Sequence, residues 1–159
     1  MQTKRKNVNG QRIEVWYRPE IANPAATGLR SDILDLAVKT VKKTEIGDVY
    51  LIKGSISAAG RKLVSRELLA DAVTQQACLN RRKKPADTVA VEVWFKEGVT
   101  DTVGETALKG IKDLGLKGVR QVLTGKRYFL TGKNITPRQV EAVAERLLAN
   151  EVIQTFQIK

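Results

Sequence analysis

The feature that most constrains this chain is an internal repeat. Ile13–Gly54 lies over Val91–Gly132 without a gap, at a constant offset of 78. Identities fall at Glu14/Glu92, Val15/Val93, Trp16/Trp94, Ile33/Ile111, Asp35/Asp113, Leu36/Leu114, Lys39/Lys117, Val41/Val119, Gly47/Gly125, Tyr50/Tyr128 and Gly54/Gly132. After a one-residue shift, Leu68-Leu69-Ala70-Asp71 lies over Leu147-Leu148-Ala149-Asn150, with Val73 over Val152 and Gln75 over Gln154. The chain holds two tryptophans, and the alignment pairs them. Two copies make a duplication rather than a solenoid, which needs at least about three stacked units.

Each copy reads as strand, helix, strand, helix, strand. In the second, Val89, Val91, Val93 and Phe95 alternate with Ala90, Glu92, Trp94 and Lys96, the period of a strand with one buried face. Ala107, Leu108, Ile111 and Leu114 recur at helical spacing, and Gly115 with Gly118 marks the stop. Val119–Thr131 is rich in β-branched and aromatic residues and reads as a long strand, with a bend or bulge expected near Gly125. Thr136, Pro137 and Gln139 form a helix start with a capping box, and Val140, Val143, Ala144, Leu147 and Leu148 line one face. Asn150 is expected in the left-handed conformation that ends this helix, before a closing strand over 152–158. The first copy follows the same plan with a softer second helix, capped by Ser57, where Gly60 falls inside and Arg61 replaces Val140.

The division expected is a flexible basic tail over 1–11, a first repeat over 12–79, a basic linker over 80–88 and a second repeat over 89–159. The class is α+β: a tandem duplication of a β-α-β-α-β unit, the copies related by a pseudo-twofold. Units of about 70 residues are marginal alone, so the two are expected to pack together.

Chemistry is sparse. Histidine is absent, which excludes every mechanism with a histidine base or ligand, and a lone cysteine, Cys78, closes no intrachain disulfide. Gly125-Lys126 and Gly132-Lys133 lack the rest of a phosphate loop. No catalytic residue, metal ligand or cofactor site is therefore assigned. No run reaches the ~18 apolar residues of a membrane span, and the default compartment is the cytoplasm.

The net charge of +11 raises nucleic acid as a partner. Its placement argues the other way. Residues 1–84 hold 17 basic against 8 acidic side chains, and seven of the basic ones (Lys4, Arg5, Lys6, Arg81, Arg82, Lys83 and Lys84) lie in the expected tail and linker. Those read as solvated charge. A basic α+β nucleic-acid module stays as the alternative, disfavoured because exposed aromatics and basic residues do not interleave along any strand face.

The tryptophans carry more information. Trp16 shares a strand face with Glu14 and Arg18, and Trp94 with Glu92 and Lys96, opposite the apolar faces. Trp16, Arg18, Trp94 and Lys96 are thus candidates for an interface, either between the repeats or with a partner.

The second copy resembles a known family. Val91-Glu-Val-Trp-Phe-Lys-Glu-Gly-Val-Thr-Asp101-Thr-Val-Gly104, Leu114-Gly-Leu-Lys-Gly-Val119, Gly125-Lys126 and Leu147-Leu-Ala-Asn-Glu-Val-Ile153 are similar, in order and spacing, to PurS, the small subunit of phosphoribosylformylglycinamidine synthase. The first copy repeats the pattern more weakly, with Asn23 for Asp101 and a displaced glycine at Gly28, and Glu151 stands where the family commonly has proline. The resemblance implies ferredoxin-like subdomains and a non-catalytic assembly role in purine biosynthesis, joining a glutaminase (PurQ-type) and an ATP-dependent synthetase (PurL-type) for ammonia transfer. Two copies in one chain resemble a fused PurS dimer, or the N-terminal region of the large single-chain synthase.

Overall fold

A computed structural model describes residues 10–159; the basic cluster at Lys4, Arg5 and Lys6 lies outside the described residues. The elements are β1 (Gln11–Tyr17), α1 (Pro24–Asp35), β2 (Lys43–Gly54), α2 (Ala58–Val64, continued by a wider turn over Ser65–Leu69), β3 (Gln75–Cys78), β4 (Thr88–Phe95), α3 (Thr102–Asp113), β5 (Val119–Thr131), α4 (Pro137–Val143, widened over Ala144–Leu148) and β6 (Gln154–Ile158). The expected tail and linker are each one step too long, because Gln11 pairs with Ile52 in β1 and Thr88 pairs with Thr131 in β4.

Local chemistry sets the helix starts. The Asn23 side chain accepts from the Ala25 N–H, and Asp101 accepts from Gly104 at 2.8 Å. Ser57 and Thr136 cap α2 and α4, the latter with the full capping box through Gln139. Helix α3 stops at Gly115 with φ +86°, whereas α1 stops at Ala37, the equivalent position, with φ +62°. Asn150 is not left-handed. Both second helices instead end in a wider turn, with Ala70 N–H donating to Ser65 O and Ala149 N–H to Ala144 O. Asp71 and Asn150 then each accept the N–H two residues on, which starts the turn into the closing strand.

All six strands form one antiparallel sheet in the order β3-β1-β2-β5-β4-β6. Its register carries the offset of the repeat. Shifting both members of Gln11↔Ile52 by 78 gives Val89↔Leu130, also a pair. Applying 78 to one member of Glu14↔Cys78 and 79 to the other gives Glu92↔Gln157, again a pair. At the centre Asp48 stands opposite Lys126, its own counterpart, and the β2–β5 ladder is symmetric about that pair. The bulge expected near Gly125 lies instead where Gly54 meets Val119.

The four helices cover one face, over two cores that each draw on both halves. Leu29 and Ile33 of α1, with Val38 and Val41, pack on Val91, Val93 and Leu130 beside Val140 and Val143 of α4. Ala107 and Ile111 of α3 pack on Ile13, Val15 and Ile52 beside Val64 of α2. The halves are therefore not two closed subdomains. Ile33 and Ile111 are each fully buried, contributing about 1.5–3 kcal/mol apiece, partly to a core built on the other half's strands.

Candidate functional site

The face of the sheet opposite the helices holds a buried charged network. Period-two strands put Arg12, Glu14 and Trp16 of β1 on it, and likewise Glu92 and Trp94 of β4, and Gly125, Arg127 and Phe129 of β5. Each tryptophan faces a glycine on the neighbouring strand, Trp16 on Gly47 and Trp94 on Gly125. A Cβ on Gly47 would lie 2.4 Å from the Trp16 ring, and one on Gly125 would lie 2.8 Å from the Trp94 ring. Each indole N–H donates to the glutamate two residues earlier, Trp16 to Glu14 at 2.9 Å and Trp94 to Glu92 at 3.4 Å. The repeated Glu, Trp and Gly form one structural unit, present twice.

Arginines tie these units together. Arg12 donates to both Glu14 and Glu92 at 2.7 Å, and Arg127, 3% exposed, donates to Glu14 at 3.2 Å. Trp16 stacks on Phe129 of the other half, with ring centroids 4.6 Å apart. Burial opposes the charge on Glu92, but Arg12, Arg81 and Lys159 outweigh it and hold the carboxyl below its ordinary range. Burial lowers the Arg127 pKa, and Glu14 partly restores it.

The run at Arg81-Arg82-Lys83-Lys84, read from sequence as solvated linker charge, is in half a different thing. Arg81 pairs with Glu92, and Arg82 pairs with Glu45 while lying over the rings of Trp16 and Phe129. Its backbone N–H donates to Glu14. Lys83 and Lys84 stay exposed. The carboxylates needed to see this are 37 to 68 residues from Arg82, so only the strand register reveals the pairing.

The four residues singled out from sequence do not converge. Trp16 and Trp94 are 1% and 6% exposed, so neither ring is an open docking surface as the chain stands. Arg18 donates to Ala72 O beside β3, and Lys96 is exposed, its backbone N–H donating to Ile153 O. Arg12, Arg127 and Arg82, which bind the two halves together, were missed. The one signal for the network was the repeated Glu14/Glu92, two residues before each tryptophan.

On the helix-covered face a cavity of about 130 Å³ opens beside the Asp48–Lys126 ion pair, lined by Tyr50, Thr124 and Tyr128 among others. Burial, reinforced by Asp48, pushes both phenols up to about 12, so neither ionises near neutral pH. Burial, then Glu14, pushes the Cys78 thiol up, away from a reactive thiolate. Among the described residues no group of histidine, cysteine, aspartate or glutamate could hold a metal ion, and no helix is long and apolar enough to cross a membrane. This arrangement joins two halves.

Comparison with known proteins decides the family. Residues 88–159 match PurS, described as phosphoribosylformylglycinamidine (FGAM) synthase. Over 72 residues the chain is 38% identical to the phosphoribosylformylglycinamidine synthase subunit PurS of Archaeoglobus fulgidus, covering 43% of this chain and 90% of that protein. The chain belongs to the PurS family. A solved PurS from Methanocaldococcus jannaschii, one of the subunits of formylglycinamide ribonucleotide amidotransferase in the purine biosynthetic pathway, is 29% identical, covering 45% of this chain and 92% of that one, with a TM-score of 0.42. The family match starts with β4 and runs through β6, so one PurS length corresponds to one β-α-β-α-β half.

Proposed function

We propose that this chain is a non-catalytic assembly component of phosphoribosylformylglycinamidine synthase, with two PurS-like halves fused into the equivalent of a dimer. It works beside a glutaminase and an ATP-dependent synthetase, in the cytoplasm, so that ammonia from one reaches the other. The observation that carries the reading is the symmetry of the β2–β5 ladder about Asp48 and Lys126. An isologous dimer of one half would pair each strand with its own copy in just this way, residue i opposite j and j opposite i. The family match supplies the complex, and the reciprocal cores supply the reason for joining the halves in one chain.

Reconstitution tests it. With glutaminase and synthetase present, adding the chain should restore glutamine-dependent amidine formation, while synthesis from free ammonia should proceed without it. Equal glutamine-dependent rates with and without the chain would contradict the reading. The nucleic-acid alternative loses support, since Arg81 and Arg82 are engaged by carboxylates of the protein itself.

A further inference from the structure

The two halves differ at the outer edges of the sheet. In the second half, Phe156 is 2% exposed and closes the core between β6 and α4, with Val140 and Ala144 equally buried. The equivalent positions in the first half, at the offset of 79, are Ala77, Arg61 and Ser65. Here a groove of about 360 Å³ opens between β3 and α2, whose apolar lining includes Ala70, Ala77 and Leu79. Arg18, Lys62 and Arg66 also line it. The counterparts of Lys62 and Arg66 are Glu141 and Glu145, so the difference between the halves is one of charge sign as well as volume.

We propose that this groove is a docking site for an acidic polypeptide segment of a partner protein, one carrying an apolar side chain that enters the space Phe156 fills in the other half. Three observations favour that occupant. The cationic lining selects a negatively charged partner. The groove runs beside β3, an edge strand whose outer backbone groups can pair with an extended chain. A second copy of the chain, at a formal net charge of +11, is repelled from it, as is the basic segment Lys4-Arg5-Lys6. The inference rests on the assembly role above and gives it a direction: the first half engages the acidic partner, and the second half, with Phe156 in place, does not.

The test measures affinity of the full chain for the separate glutaminase and synthetase components by calorimetry. Lys62→Glu with Arg66→Glu, on exposed side chains, and Ala77→Phe, which copies the second half, should each weaken binding to one component at least tenfold. Glu141→Lys with Glu145→Lys should leave that affinity unchanged. Ala77→Leu serves in place of Ala77→Phe if circular dichroism shows the latter unfolded. Wild-type affinity in the groove variants would overturn the groove while leaving the assembly role standing. Loss in the charge variant alone would mean attraction without entry and would also overturn it. A wild-type chain that binds neither component would overturn both readings.

Discussion

Gly47 and Gly125 show what a single missing methyl does here. The tryptophan opposite each lies flat over the bare backbone, which seats its indole against the sheet and within reach of the glutamate carboxylate. Gly47→Ala forces the Trp16 ring out of a packed site, and overpacking of this kind costs about 1–3 kcal/mol; urea denaturation followed by Trp fluorescence should show the midpoint falling with an unchanged slope. Glu92 makes a second test, through pH. Its pKa is lowered in the folded protein, so the unfolded chain binds the proton more readily. The stabilisation is complete above the ordinary glutamate pKa and is lost as pH falls through the lower folded value. Glu92→Gln should destabilise by about 3 kcal/mol at neutral pH, since it removes one of the two carboxylates that balance Arg12 and the buried Arg127. It should also flatten the acid limb of the stability profile, and an acid limb as steep as the wild type's would show that Glu92 is not the titrating group.

At the scale of elements, the equivalent helix stops Ala37 and Gly115 make an internal comparison. Both residues take positive φ, but only Gly115 does so without a steric penalty. Ala37→Gly should stabilise by about 0.5–1 kcal/mol, the relief of a left-handed alanine less the extra freedom of the unfolded chain. That is roughly 1–4 °C in Tm for a chain of this size, while Gly115→Ala should lower Tm. A Tm drop in Ala37→Gly would refute the strain. The elements themselves were legible from residues, because strand alternation at Val89–Phe95 and the Thr136-Pro137-Gln139 cap are local signals. What escaped was set by tertiary geometry. Asn150 loses the helix-ending role to a wider turn that brings Leu148 into the core, and the bulge follows the close approach of Gly54 to Gly118 rather than the flexibility of Gly125. The candidate site was half legible for the same reason: Glu14, Trp16, Glu92 and Trp94 stand out in the repeat, but of the arginines that join them only Arg12 lies beside them in sequence, and Arg81, Arg82 and Arg127 come from two other stretches of chain.

Over the whole molecule, the central claim is that the two halves form one interlocked body. The sheet runs unbroken through β2 and β5, α1 packs into a core it shares with strands of the second half, and α3 into one it shares with strands of the first. Arg12 and Arg127 then join the glutamates of both halves on the opposite face. A chain built this way has no means of unfolding one half and keeping the other. Trp16 and Trp94 provide a reporter for each half. Equilibrium denaturation of Trp16→Phe and Trp94→Phe, each followed by its remaining tryptophan and by far-ultraviolet circular dichroism, measures the point directly. Within each variant the fluorescence and dichroism curves should coincide as a single two-state transition. Separate transitions, with the strands around one tryptophan melting while the rest of the sheet persists, would contradict the interlocked pair.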